Sequence, residues 1–413
     1  MPDPMTRKTF AIVGASLAGA HAAFQLRKDG FDGEILLIGD EAHLPYDRPP
    51  LSKAFLLGKA GEDALLLRQE SDYSDAAITP VLSTRIASID RSARSLETTN
   101  GRSISFDKLL ICTGARARDL PFAPEAQANI HTLRSLDDAA RVRAELLPGR
   151  RIVVIGFGFI GAEVAAAAQE LGCAVTLVEA SEAPMQRVLG SEGASRYCGL
   201  HASRGIDIRL STSVLQIREA QDGSKLVVLS DGSELACDAV VYGIGSTPNC
   251  EFAQASGIEI ANGIAVNAFC ETSVEGIYAA GDVAARPTAY ASGLVRLESW
   301  QNAYRQAVAA ARSMLGHREA YDDIPWFWSD QYESKMQLAG LPGTHDQIVW
   351  HDQGEDGFSG TAFYFTQRRL TAVLGLNRPR DVRFGMEVVK AGGAVTPDDV
   401  RSEGFNIQKY MKR

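Results

Sequence analysis

Two glycine-punctuated turns constrain this chain more than any other feature: AIVGASLAGAHAA at residues 11–23 and VVIGFGFIGAE at residues 153–163. Each follows an apolar run and opens an alanine-rich one. KTFAIVGAS reads as a strand entering a turn, AGAHAAFQLRKDG as an amphipathic helix stopped by Gly30, and EILLIGD as a second buried strand. That order is a βαβ unit. The same grammar returns at RIVVIG, FIGAEVAAAAQELG and AVTLVEA, with Gly172 at the helix end. One polypeptide thus carries two copies of one device.

The device suits a dinucleotide. In the first copy Gly14 permits the tight turn and Gly19 close helix–strand packing, with Ala15 and Ala18 as small loop partners. Ser16 stands where the backbone must approach a pyrophosphate, and is small enough to leave the approach open. Asp40, ending the next strand, is placed to accept hydrogen bonds from an adenosine ribose. An ordinary strand-to-helix turn is the bland alternative. The second loop is complete in Gly156, Gly158 and Gly161, with Phe159 and Ile160 between. Its acid, Glu179, occupies the position that reads a ribose 2′-OH, and Arg187 is a candidate clamp for the pyrophosphate or adenosine. Two further strands return toward these loops: DKLLICTGA, with Thr113 and Gly114, and DAVVYGIGSTPN, with Gly243 and Gly245. A third motif, TSVEGIYAAGDVA, ends a short strand on Gly281-Asp282.

Composition limits the alternatives. A chain of 413 residues points to two or three domains, and 45% hydrophobic with 23% charged residues is ordinary for a globular protein. No apolar stretch is long enough to span a bilayer, and MPDPMTRKTF runs into a strand pattern instead of a signal sequence, so a cytoplasmic location without membrane attachment is expected. The six cysteines are scattered without CxxC or histidine-adjacent spacing, which suggests free thiols and no metal site. A formal net charge of -9 argues against nucleic acid as partner.

The blocks YDRPPLSK, ICTGARARDLP, GFGFIGAE, GIGSTPN, YAAGDVA, ESWQNA and PWFWSDQ, taken in order, resemble the FAD-dependent NADH:ferredoxin reductases of bacterial oxygenase systems. These form the putidaredoxin reductase and biphenyl dioxygenase ferredoxin reductase type of the two-dinucleotide flavoproteins. The disulfide branches of that superfamily need a CxxxxC or CxxC pair, and LPYDRPPLSKAFLLG, at the CxxxxC position, has no cysteine. The resemblance implies an α/β fold with two Rossmann-like domains and a small α+β C-terminal domain. It places FAD on residues 1–114 and 245–323, NAD on 115–244, and the last domain at 324–413. It also implies that Asp282 holds the FAD ribityl chain, that Lys53 lies beside the flavin, and that Glu163 pairs with Lys53 and meets the nicotinamide. Arg48, Arg134 and Trp300 are further flavin-site candidates. The implied activity is electron transfer from NADH through FAD to a 2Fe-2S ferredoxin serving an oxygenase. Docking is expected on Arg305, Arg312 and Lys335, with Trp326 and Trp328 near the electron route. Reduction of a quinone, monodehydroascorbate or oxygen is the alternative within the same fold. A redox-sensing flavoprotein similar to apoptosis-inducing factor is another.

Overall fold

The computed structural model describes residues 8–121, 128–343, 345–352, 354 and 357–411. Residues 122–127 and the first seven residues lie outside them. The chain divides into two compact units: Met1–Asp47, Asp63–Arg116 and Thr247–Pro325 form one, and Arg48–Glu62, Ala117–Ser246 and Trp326–Arg413 the other.

The first unit is built on a five-stranded parallel sheet. The first glycine loop follows its middle strand, Thr9–Val13, flanked by Lys108–Ile111 and Glu34–Ile38, with Ile277–Ala279 and Ile78–Val81 at the edges. The helix Leu17–Lys28 leaves that loop and packs on the helix Trp300–Met314 through small residues. Ala18, Ala22 and Ala23 share a buried core with Ala303, Ala307, Ala310 and Ala311. Alanine at these positions lets two backbones approach closely while favouring helix.

The second unit repeats the plan. Its parallel sheet runs in the order Asp207–Arg209, Ala174–Val178, Arg151–Ile155, Ala239–Tyr242, Ile130–His131, and the second loop follows its middle strand into the helix Phe159–Glu170. The same unit contains an antiparallel sheet of five strands from Trp326–Gln331 to Arg369–Leu376. Its strand Gly360–Thr366 is buried on both faces, although the sequence reads as alternating. The cause is cover on each side. The helix Pro379–Lys390 packs closely on one face, where a Cβ on Gly385 would lie 2.6 Å from Val373. The helix Gln186–Ala202 docks on this sheet as well: Tyr364 Oη donates to the Val188 carbonyl at 2.8 Å and Arg196 lies 4.5 Å over the Trp350 ring.

These contacts draw the units differently from the sequence boundaries. The 324–413 segment is compact with the residues read as NAD-binding because of the Gln186–Ala202 helix. The 48–62 segment, assigned by sequence to the flavin domain, joins the same unit through polar anchors. Arg48 Nη1 donates to the Arg134 carbonyl at 2.5 Å, Arg143 lies 5.5 Å over the Phe55 ring, and Lys59 faces Glu170 at 3.7 Å. No helix among the described residues is long and apolar enough to cross a membrane.

The alanine contact in the first unit is testable. Ala307→Leu adds volume to a site with none to spare and should cost about 1–3 kcal/mol in chemical denaturation. An unchanged midpoint would mean that the two helices do not pack through this face.

Candidate functional site

The two loops solve one steric problem in one way. Gly14 has φ +117°, and a Cβ there would lie 2.1 Å from the Cys112 carbonyl oxygen; Gly156 has φ +96°, with the Gly243 oxygen at 2.5 Å. Gly19 and Gly161 close each loop onto itself, since a Cβ would meet the Gly14 or Gly156 oxygen at 2.0 Å. These four glycines are therefore required by the fold. Gly158 is not: its φ of -79° suits any residue, and nothing lies within 4 Å of a Cβ placed there. Neither the Ser16 nor the Gly158 helix start carries a side-chain cap hydrogen bond. At Gly158, space beside the first helical turn that packing does not use fits a bound pyrophosphate.

In the first unit the third motif closes on the first. Gly281 has φ +80°, and its Cβ position lies 3.3 Å from Ala18 Cβ and 3.7 Å from Ala303 Cβ. The Gln306 side chain accepts the Gly281 N–H at 3.0 Å and fixes the turn that presents Asp282. Thr113 and Gly114 are latched by Asn249: Thr113 Oγ1 donates to the Asn249 carbonyl at 2.7 Å, Asn249 Nδ2 returns to the Thr113 carbonyl at 2.9 Å, and the Asn249 N–H reaches the Gly114 oxygen at 3.0 Å. Trp300 is the first residue of its helix, after the Ser299 cap, and its Nε1 donates to Asp47 at 2.7 Å. Burial raises the Asp47 carboxyl above its usual range, and the Trp300 hydrogen bond opposes the shift. Asp40 stands exposed at the end of its strand. Asn249, Gln306 and Asp47 were not read from the sequence, because isolated polar residues there carry no motif.

In the second unit Glu179 does more than its position announced. Its carboxylate accepts the Phe157 N–H and the Ser181 N–H, each at 2.8 Å, so it braces the loop it ends beside. Arg187 is exposed at the start of its helix, and Ile160 is 44% exposed on the loop. Lys53 Nζ lies 2.7 Å from Glu163 Oε2. Glu163 is only 4% exposed, and it also accepts Ser329 Oγ at 2.6 Å and a short hydrogen bond from Ser52 Oγ. Phe159 packs on Phe327 with ring centroids 4.3 Å apart, while Trp326 and Trp328 stack at 5.1 Å. Arg48 and Arg134, read as flavin contacts, meet each other in this unit.

Of the docking candidates, Arg305 is exposed and Arg312 partly so, and both are already paired. Arg305 faces Asp323 at 3.8 Å, and Arg312 lies 3.5 Å from both Asp29 and Glu319. Lys335 is exposed in the other unit.

Two nucleotide cradles, a glycine–aspartate turn and a half-buried lysine paired with a buried glutamate define a class, and comparison with known proteins agrees. Residues 8–307 match the pyridine nucleotide-disulphide oxidoreductase family and residues 326–411 the reductase C-terminal family. The chain is 39% identical over 405 residues to rhodocoxin reductase of Rhodococcus erythropolis, covering 98% of this chain and 95% of that one. It is 36% identical over 407 residues to the ferredoxin–NAD(+) reductase component of the anthranilate 1,2-dioxygenase system of Burkholderia cepacia, covering 98% and 100%. Its structure is similar to that of the reductase in the covalent putidaredoxin reductase–putidaredoxin complex, with a TM-score of 0.93, 35% identity and 98% of each chain covered. The chain belongs to the pyridine nucleotide-disulphide oxidoreductase family.

The loops give a direct test of binding against folding. Gly161→Ala forces a methyl group into backbone and should cost several kcal/mol, of the order of 3. Gly158→Ala should leave the melting temperature unchanged and weaken NADH binding alone. A Gly158→Ala protein that binds NADH as wild type would remove that loop from the site.

Proposed function

We propose that this chain is an NADH-dependent ferredoxin reductase that supplies an oxygenase. The observation carrying the proposal is a pair of dinucleotide cradles in one chain that lacks the CxxxxC or CxxC redox pair, so that electrons must leave to an acceptor outside the chain. The relatives named above pair this architecture with rhodocoxin, putidaredoxin or a dioxygenase ferredoxin. FAD, when bound, takes a hydride from NADH and releases electrons one at a time to a one-electron carrier.

The chain's own residues bind and orient. The first loop, with Gly14, Ala15, Ser16, Ala18 and Gly19, holds the FAD pyrophosphate; Asp40 takes its ribose and Asp282 its ribityl chain. Thr113, Gly114 and Trp300 complete that side, with Arg48 and Arg134 as further contacts. The loop of Gly156, Gly158, Phe159, Ile160 and Gly161 holds NADH, with Gly243, Gly245 and Arg187. Glu179 accepts from the ribose hydroxyls and repels a 2′-phosphate. The Lys53–Glu163 pair serves hydride transfer, Glu163 by accepting from the nicotinamide carboxamide and Lys53 by its charge. Arg305 and Arg312 belong to the ferredoxin face, since exposed ion pairs at 3.5–3.8 Å are weak and exchange readily for a partner's carboxylates. Lys335 adds a further cation, and Trp326 and Trp328 lie on the electron route.

With NADH, the holoprotein should reduce a cognate 2Fe-2S ferredoxin faster than it reduces quinone, monodehydroascorbate or oxygen. A ferredoxin rate no higher than the quinone rate would transfer the chain to the small-acceptor class. Replacing Arg305 and Arg312 together by Glu should raise the KM for ferredoxin and spare ferricyanide reduction, which needs no protein docking. A parallel fall in both activities would remove them from the docking face.

The nicotinamide side has its own test. Lys53→Met should slow bleaching of the flavin by NADH roughly tenfold or more while FAD is retained. Glu179→Gln, which removes a charge and keeps an acceptor, should raise the kcat/KM for NADPH relative to NADH. An unchanged bleaching rate or an unchanged nucleotide ratio would withdraw the corresponding role.

A further inference from the structure

We infer that Ser329, Gln331 and His201 form a buried, one-directional hydrogen-bond chain that positions the Glu163 carboxylate for the nicotinamide. The inference rests on the reading of Glu163 given above. The chain starts from a strand that no nucleotide motif includes. In Trp326–Gln331, alternate side chains share a face, so Phe327, Ser329 and Gln331 point one way. Phe327 packs on Phe159 of the second loop. Beside it, Ser329 Oγ reaches Glu163 Oε1 at 2.6 Å, Gln331 Nε2 reaches Ser329 Oγ at 3.0 Å, and Gln331 Oε1 lies 2.9 Å from His201 Nε2. Glu163, Ser329, Gln331 and His201 are each buried, His201 completely.

The carboxylate dictates the direction. An ionised Glu163 only accepts, so Ser329 must spend its single proton on it. Gln331 must then donate to Ser329 with its amide nitrogen, which turns its oxygen to His201. His201 must carry its proton on Nε2 to satisfy that oxygen. Its Nδ1 is left as acceptor, and Tyr332 Oη stands 3.4 Å away. Burial pushes the His201 imidazole down to about 4, opposed by the Gln331 hydrogen bond and aided by Arg204, so the ring is neutral at physiological pH with one N–H to give. Tyr332 is held at φ +54° in the turn after the strand, a conformation an aromatic residue rarely takes, and Arg204 lies 4.0 Å over its ring.

The network also leaves one opening. A carboxylate offers about four acceptor positions. Ser52 and Lys53 address Oε2, and Ser329 addresses Oε1. The remaining position on Oε1 is available to an incoming amide N–H, and its direction is set by where Ser329 holds the carboxylate. Ser329, Gln331 and His201 are thus positioning residues that act through Glu163.

The test uses the oxidised, FAD-loaded protein and NAD+, so that binding is read without turnover. In titration calorimetry Ser329→Ala should weaken NAD+ about tenfold, the lower end of the effect of one hydrogen bond to a charged group. Ser329→Ala should also lower the melting temperature, since it leaves the buried carboxylate one donor short, and Ser329→Thr, which keeps the hydroxyl, should restore both binding and melting temperature. In a Glu163→Ala background, Ser329→Ala should cost nothing further, because its route to the nucleotide is gone. Nitrogen NMR of labelled His201 should show the Nε2–H tautomer. Equal losses with and without Glu163, wild-type binding by Ser329→Ala, or an Nδ1–H tautomer would each overturn the chain. If Glu163→Ala alone leaves NAD+ binding unchanged, the fault lies in the role proposed for Glu163, and the chain loses its function with it.

Discussion

The second unit is organised around a carboxylate that has been taken out of water. Burying an isolated carboxylate costs several kcal/mol, far more than a single ion pair returns, unless most of its acceptor positions are filled. Glu163 fills them from two places distant from it in sequence: Ser52 and Lys53 near the start of the chain and Ser329 near its end. These ties add to the Gln186–Ala202 helix and to the anchors of the 48–62 segment in making both compact with the second nucleotide domain. Removing any donor leaves a buried carboxylate short of a partner, so the contacts that help to assemble the unit also fix the position of the glutamate.

The glycines show how one sequence pattern serves two physical ends. Gly14, Gly19, Gly156 and Gly161 are imposed by backbone that comes too close for any Cβ, and would be needed in a protein that bound nothing. Gly158 answers to no such constraint. Nothing within 4 Å of its Cβ position calls for a glycine, so packing alone does not account for the residue there. Motif spacing treats these positions alike, and only the packing around each one separates them.

That distinction also marks how far the sequence could be read. The two βαβ units, their helix stops at Gly30 and Gly172, and the strand leading to Gly281 are legible because period and turn chemistry are local properties. Lys53 and Glu163 were singled out through resemblance, and the structure places their charged atoms 2.7 Å apart. Ser52, Ser329, Gln331 and His201 left no trace, since a serine or a histidine becomes informative only when the fold brings it to a partner more than a hundred residues away. The grouping of residues 48–62 with the second unit is silent in the sequence for the same reason: no composition shift marks it, and the ties that hold it there are long-range.

The strand WFWSDQ joins these threads. Read as sequence it offers aromatic residues for an electron route, and that was the attention it drew. Its pleat divides the work: Trp326 and Trp328 stack together, while the intervening Phe327 and Ser329 meet the nucleotide loop and its glutamate. Such a strand must satisfy two neighbours at once, which ordinary alternation cannot reveal because both of its faces are partly covered. A fold that routes one short strand past the second glycine loop makes the C-terminal sheet part of that loop's surroundings, because Phe327 packs on Phe159 and Ser329 holds Glu163.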